Sequence, residues 1–348
     1  MKRKVLAALL CVAMVATMVV GCGSSSDTSD DTSTGDAGDV SVTEVDESEY
    51  TEWNWPSADE VKIGYSQADL ASTWRIVENE DMEKYADEYG WELTILNAEG
   101  DTEQQLSDVE SLIAQGCNVI VITAIDADAI QPALDTCRDQ QIPVILKSRG
   151  SNGVPGVDYV TFCAHDFVEE GYLAGKWLEE NCDKDTIKVA EVQGVIGGTD
   201  VRDRSQGFHN AADEFGNFDI VAEQSANWSR SEAQELAANI IQSTGGDIDA
   251  FYCHNDEMAL GVTLACQAAG LTVGEDVYVL GVDGMTETFD AIKDGTISST
   301  VTCTPKCAST VFECIQKGID GETLETIYNT EDYCVDATNV DEYYDLGF

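Results

Sequence analysis

From residue 61 onward the chain alternates short runs rich in Val and Ile with longer amphipathic stretches, and this rhythm restricts the fold more than any other feature. Runs such as Val119-Ile120-Val121-Ile122 are too short for core helices and lack the apolar–polar alternation of a half-exposed strand. They suit a parallel sheet covered on both faces. The pattern predicts strands at 61–66, 91–97, 118–123 and 142–147, with helices at 73–89, 102–115 and 127–140 between them. It then repeats, with strands at 157–162, 187–193, 218–224, 250–254, 277–282 and 298–302. Helices are predicted at 166–181, 201–215, 229–244, 256–269, 286–293 and 305–317, followed by short elements to residue 348. Alternation over this length implies an α/β protein with two doubly wound parallel-sheet lobes. A (β/α) barrel of eight strands has a similar length and rhythm and is the structural rival.

The chain opens with Met1-Lys2-Arg3-Lys4 and an apolar run over residues 5–20, the n-region and h-region of a secretory signal. Val19-Val20-Gly21-Cys22 resembles the lipobox of bacterial lipoproteins, which implies a signal peptide at 1–21 and Cys22 as an acylated N-terminus. A secreted protein with a chance cysteine is the alternative. Several acyl chains hold a protein at a membrane where one chain gives only reversible binding. Residues 22–60 read as an extended, acidic tether, because a Ser/Thr/Asp/Gly tract buries no apolar surface and repels itself. Trp53-Asn54-Trp55-Pro56 closes that tether and is expected to pack on the folded body.

Lys and Arg number 18 against 66 Asp and Glu, a formal net charge of -48 at pH 7. Such a surface lacks the clustered cations that bind nucleic-acid phosphates, so no nucleic-acid partner is expected. With three histidines in all, neither is a multi-histidine metal site, and no cofactor is anticipated. Ten of the twelve cysteines lie between Cys117 and Cys334, mostly inside predicted strands and helices. They read as core thiols, with one or two disulfides as the alternative in an oxidising compartment.

In open parallel sheets, ligands bind beyond the carboxyl ends of the strands. The polar and aromatic residues at those places are Ser66 and Gln67 with Trp74 and Arg75, Ser148 and Arg149, and His165 and Asp166. The second half adds Gln193 with Arg204 beyond its loop, Asn227 and Trp228, Asn255 and Asp256, and Asp283. Tryptophans, arginines and carboxylates in equivalent places of two lobes suit a neutral polyhydroxyl ligand. Indole faces stack on C–H surfaces, while guanidinium donors and ionised acceptors bind hydroxyls. Each residue also has a plainer reading. Trp74 and Trp228 would pack at helix starts, Arg149, Arg204 and Asp283 would form ion pairs, and Asn255 would cap a helix. The Gly194–Gly198 loop matches no phosphate-binding fingerprint.

Several motifs together resemble the bacterial type I periplasmic sugar-binding proteins, across nearly all of residues 61–348. They are Glu191-Val192-Gln193-Gly194, Arg202-Asp203-Arg204-Ser205-Gln206-Gly207-Phe208, His254-Asn255-Asp256-Glu257-Met258-Ala259-Leu260-Gly261 and Gly281-Val282-Asp283-Gly284. Ile63-Gly64-Tyr65-Ser66-Gln67 and Trp74-Arg75 look like the galactofuranose-binding branch more than the ribose branch. The resemblance implies two lobes joined by a hinge of three crossovers, lobe 1 from 61–164 plus 304–327 and lobe 2 from 165–303 plus 328–348. It implies stacking by Trp74 and Trp228 and hydroxyl binding by Arg75, Arg149, Asp166, Arg204, Asn255 and Asp283, with Ser148 beside them. Ser148 stands where the family usually has Asp, and Cys303 where the ribose branch has Gln. The implied function is non-catalytic: a monomer that captures a monosaccharide such as galactofuranose or ribose and delivers it to the permease and ATPase of an ABC importer. Two alternatives keep the same lobes: a sugar-sensing input module for a membrane receptor, and an extracellular carbohydrate hydrolase using Glu191 and Asp203 as paired carboxylates.

Overall fold

The computed structural model describes residues 50–348. The expected signal peptide, the acylated Cys22 and the tether as far as residue 49 lie outside the described residues. Lobe 1 begins with β1 (Lys62–Gln67), α1 (Thr73–Tyr89), β2 (Glu92–Asn97), α2 (Thr102–Ala114), β3 (Val119–Ile122), α3 (Gln131–Asp139), β4 (Val144–Lys147) and β5 (Thr161–His165). Lobe 2 follows with α4 (Phe167–Asn181), β6 (Ile187–Gln193), α5 (Thr199–Phe215), β7 (Phe218–Ser225) and α6 (Arg230–Thr244). It continues through β8 (Ala250–Cys253), α7 (Asp256–Ala268), β9 (Tyr278–Asp283), α8 (Thr286–Lys293) and β10 (Ser299–Thr302). The chain then returns to lobe 1 for α9 (Ala308–Ile319) and β11 (Ile327–Thr330), and ends in lobe 2 with β12 (Cys334–Asp336) and α10 (Val340–Tyr343).

Two separate open sheets result, in the orders β11-β5-β4-β3-β1-β2 and β12-β10-β9-β8-β6-β7, which excludes the closed barrel. Every pairing is parallel except β10 with β12. The Val/Ile runs explain this directly. Val119, Val121 and Ile145 enter one apolar cluster with Ile63 and Phe312, while Ile120, Ile122, Val144 and Leu146 enter another on the opposite face. In lobe 2, Val189, Tyr252, Leu280 and Val282 face one cluster and Ala190, Val192, Phe251 and Val279 the other. Full burial of such a side chain contributes about 1.5–3 kcal/mol, so both faces must be covered.

Several boundaries differ from the sequence-based expectation, each for a local reason. The strand expected at 157–162 begins at Thr161, because residues 154–158 form a turn in which Val154 N donates to the Asp158 carboxylate at 2.7 Å and Gly156 sits at φ 80°. The helix expected from 127 begins at Gln131, since the Asp126 carboxylate accepts from Asp128 N and Ala129 N and holds a turn there. The third crossover lies after Thr330 and not at 327/328, because β11 pairs with β5 through Thr330 opposite His165. The tether does not extend to residue 60. Thr51 N donates to Gly156 O, Asn54 N to Gln141 O, and Trp91 Nε1 to Ala58 O, so residues 51–58 are strapped to lobe 1. Trp55 lies flat on Gly318 of α9, where a Cβ would collide with its indole.

All ten cysteines of the described residues are free thiols and nine are buried, Cys334 being half-buried. Among the described residues, no helix is long and apolar enough to cross a membrane.

Candidate functional site

The carboxyl ends of β1, β4, β6, β8 and β9 face one another across a cleft of about 780 Å³ whose walls come from both lobes. Trp74, Arg75, Ser148 and Arg149 line it from lobe 1, and Arg204, Trp228, Asn255 and Asp283 from lobe 2. Asp166 does not. It is exposed and turned onto its own helix, accepting from Glu169 N at 3.0 Å as the N-cap of α4. Phe167, the next residue, reaches the cleft in its place.

On the lobe 1 side, Ser72 caps α1 by accepting from Arg75 N and sets Trp74 and Arg75 in the first turn. The Trp74 indole N–H donates to Cys303 O on the second crossover at 2.7 Å, which fixes the ring plane. The Arg75 guanidinium lies 4.7 Å from the Trp74 ring centre and donates through Nη1 to Glu78 at 2.9 Å. Glu78 is fully buried and also receives Lys147 Nζ at 2.7 Å, Gln67 Nε2 at 2.9 Å and the Ser148 hydroxyl. Burial opposes ionisation of Glu78, but Lys147 and Arg75 outweigh it and hold the carboxyl well below the usual carboxylate range. Ser148 therefore lines the wall with its hydroxyl hydrogen directed inward. The carboxylate absent at Ser148 is thus present one layer deeper, on α1.

On the lobe 2 side, Asp200 and Arg204 stand four residues apart on α5, on one helix face. Arg149 Nε donates to Asp200 Oδ2 at 2.6 Å, an ion pair that spans the two lobes. Burial opposes ionisation of Asp200, yet Arg149, Arg204 and Arg75 hold its carboxyl below the ordinary value. Gly150 N donating to Thr199 Oγ1 and Ala127 N to Gly197 O join the lobes along the same flank, so the molecule is closed. Arg204 donates through Nε to Glu170 at 2.6 Å and through Nη1 to His254 O at 2.7 Å. Trp228 follows β7 with both Asn227 and Trp228 at positive φ, 53° and 62°, a strained turn that lays the indole on Gly194. The guanidinium carbons of Arg149 and Arg204 stand 5.7 and 5.8 Å from that ring's centre. Asn255 caps α7 by accepting from Met258 N at 2.9 Å, which leaves its amide N–H groups for the cleft. Capping and lining coexist in this residue.

Asp283 ends β9 at φ 133° and is 6% exposed. Burial pushes its carboxyl well above the ordinary range; Arg204 pulls the other way, and Asp256 and Glu170 add to the rise. His165 and His254 are buried behind the walls and do not line the cleft. Neither do Glu191 and Asp203. Glu191 is buried against His254 at 2.7 Å, and Asp203 pairs with Arg202 on the outer face of α5, so the two carboxylates flank no common bond.

Sequence reasoning missed Asp69, Asp200, Phe167, Arg230 and Glu257 as lining residues. Asp200 had a signal, its i,i+4 spacing from Arg204. Each arginine of the cleft has a carboxylate partner: Arg75 with Glu78, Arg149 with Asp200, Arg204 with Glu170, and Arg230 with Glu257. Each pairing with these carboxylates uses only part of a guanidinium, since an arginine carries five N–H donors.

The chain is 32% identical over 257 residues to the galactofuranose-binding protein YtfQ of Escherichia coli (strain K12), covering 73% of this chain and 81% of that one. It is 34% identical over 247 residues to the ribose import binding protein RbsB of Bacillus subtilis (strain 168), covering 71% and 77%. Its fold matches, at a TM-score of 0.78 and 29% identity, the periplasmic binding protein component of the arabinose ABC transporter from Shewanella sp. ANA-3, solved with α- and β-L-arabinofuranose. That match covers 82% of this chain and 95% of the other. The family described as "Periplasmic binding protein domain" matches residues 63–311, a span that holds most of both lobes and all the cleft residues named above. The chain belongs to the periplasmic binding protein family.

Proposed function

We propose that the protein captures a neutral monosaccharide in its five-membered ring form between the two lobes and delivers it to the permease and ATPase of an ABC importer. Acylated Cys22 would hold it on the outer side of the membrane, and no chemical step would occur on the sugar. The observation that carries this reading is a single cleft walled by Trp74 and Trp228 from opposite lobes and by arginines already neutralised by their own carboxylates. Paired charges favour an uncharged ligand rich in hydroxyls, because an anion would meet Asp69, Asp200 and Asp283 as well as the cations. The binding proteins for galactofuranose and arabinofuranose among its relatives support the furanose form.

The energetics are sufficient. Charge-assisted hydrogen bonds contribute about 1.5–3 kcal/mol each, and association and ordering cost several kcal/mol in return. A micromolar dissociation constant needs about -8 kcal/mol net, which a few such bonds and two stacked rings supply. A thermal-shift screen over furanose and pyranose sugars tests the reading. A ligand at about 1,000 times its dissociation constant adds about 4.1 kcal/mol of stability, a rise of several degrees. A flat response to every neutral sugar, with a rise for an anion, would overturn it. Gly194→Ala is expected to weaken capture about tenfold, the worth of one displaced stacking ring. Calorimetry with the best sugar of the screen reads that loss, and an unchanged affinity would remove the Trp228 stack from the site.

A further inference from the structure

The hinge consists of three crossovers, at residues 165–166, 303–307 and 331–333, and the His165 side chain touches all three. His165 belongs to the first. Its Nε2 lies 3.0 Å from Thr304 O on the second, and its Nδ1 lies 2.7 Å from Asp332 Oδ2 on the third. A peptide carbonyl and a carboxylate oxygen only accept, so a ring facing both must donate from both nitrogens. We propose that His165 is an imidazolium clasp across the hinge, a positioning residue that sets how readily the two lobes open and so makes capture and release depend on pH.

The surroundings fit that role. Asp332 is itself held by Thr302 Oγ1, which donates to its Oδ1 at 3.1 Å, so the clasp closes on a fixed anchor. The groups facing the ring are Asp332 from the third crossover, Glu170 of α4 at 4.0 Å, Cys303 of the second crossover and Cys307 at the start of α9. Behind them stand Arg204, paired with Glu170, and Lys147, 3.2 Å from the Cys307 sulfur. His165, Glu170 and Cys303 are near enough to suggest a metal centre, but both ring nitrogens are already engaged. Two threads connect the clasp to the cleft. Trp74 donates to Cys303 O, one peptide from the clasp's carbonyl acceptor, and Glu170 holds Arg204. Opening rotates the crossovers past one another, and the ring cannot keep both partners while they move.

Burial opposes the charge on His165, but Cys303 and Asp332 outweigh it and hold the ring's pKa well above the ordinary histidine value. A clasp of this sign is fully formed in acid and at neutrality and is lost as pH rises through that raised value. The inference rests on the hinged-binder reading, yet its test needs no sugar, so the two fail separately. In the full chain labelled with nitrogen-15, His165 is expected to show two ring N–H protons at about pH 8, where an ordinary imidazole has one. X-ray scattering should show the radius of gyration growing as pH rises from neutrality through that raised value. The H165Q variant, with one donor and one acceptor, should sit at the larger radius throughout and show no such step. A single ring proton in the wild-type protein at about pH 8 would overturn the proposal, even if the variant failed to fold. So would a radius equally flat with pH in both proteins.

Discussion

Asp283→Asn is expected to lower sugar affinity about 100-fold or more while leaving the unfolding midpoint unchanged or slightly raised. An ionised carboxylate in the cleft accepts two hydroxyl protons, and losing two bonds of about 1.5–3 kcal/mol each is a drop of two to four decades. Stability moves the other way because the charge at Asp283 is unwelcome in the fold. Burial, Asp256 and Glu170 all raise its pKa against the pull of Arg204, so the neutral amide relieves a strain that the ligand otherwise relieves. A carboxyl whose folded pKa is raised loses its ionised form as pH falls through that value, so wild-type affinity should decline toward acid and the variant's residual affinity should not. Arg204→Ala makes the contrast: it removes ligand donors and also strands Glu170, fully buried with one oxygen already unpartnered, so affinity and stability fall together. Calorimetry and thermal unfolding on both variants measure this. Full affinity in Asp283→Asn would take Asp283 out of the site.

The same residues show which parts of this molecule the sequence makes legible. Uninterrupted Val/Ile runs reveal strands buried on both faces, because nothing but a covered parallel sheet has use for them. β11 has no such run; its side chains alternate between exposed and half-buried, and only its pairing with β5 makes it a strand. Position at a strand end identifies the rim of the cleft but not the direction in which a side chain turns. Asp166 and Asn255 both follow strands and both cap helices, yet Asn255 still lines the cleft and Asp166 does not. The most consequential contacts are invisible locally. Glu78 and Lys147 are 69 residues apart, each unremarked in its own segment, and only the packing of α1 against β4 makes them a pair.

That pair supports the second large effect. Glu78→Gln should destabilise the protein by about 3–5 kcal/mol, the usual consequence of leaving a buried charge without its partner. Lys147 is fully buried and would keep only the Cys307 sulfur at 3.2 Å, while Arg75 would lose the carboxylate that orients it beside Trp74. In the wild-type protein the depressed pKa of Glu78 supplies stability that is present above the ordinary carboxylate value and is lost only as pH falls through the folded one. In the variant the buried ammonium becomes the dominant group. Its folded pKa then lies below its unfolded one, the unfolded chain binds more protons, and stability must rise with pH as the lysine discharges. Urea unfolding at about pH 6 and about pH 9 should therefore find the variant firmer in alkali. A loss below about 1 kcal/mol, or an identical pH slope in both proteins, would show that Lys147 finds another partner and that the first turn of α1 is held by packing alone.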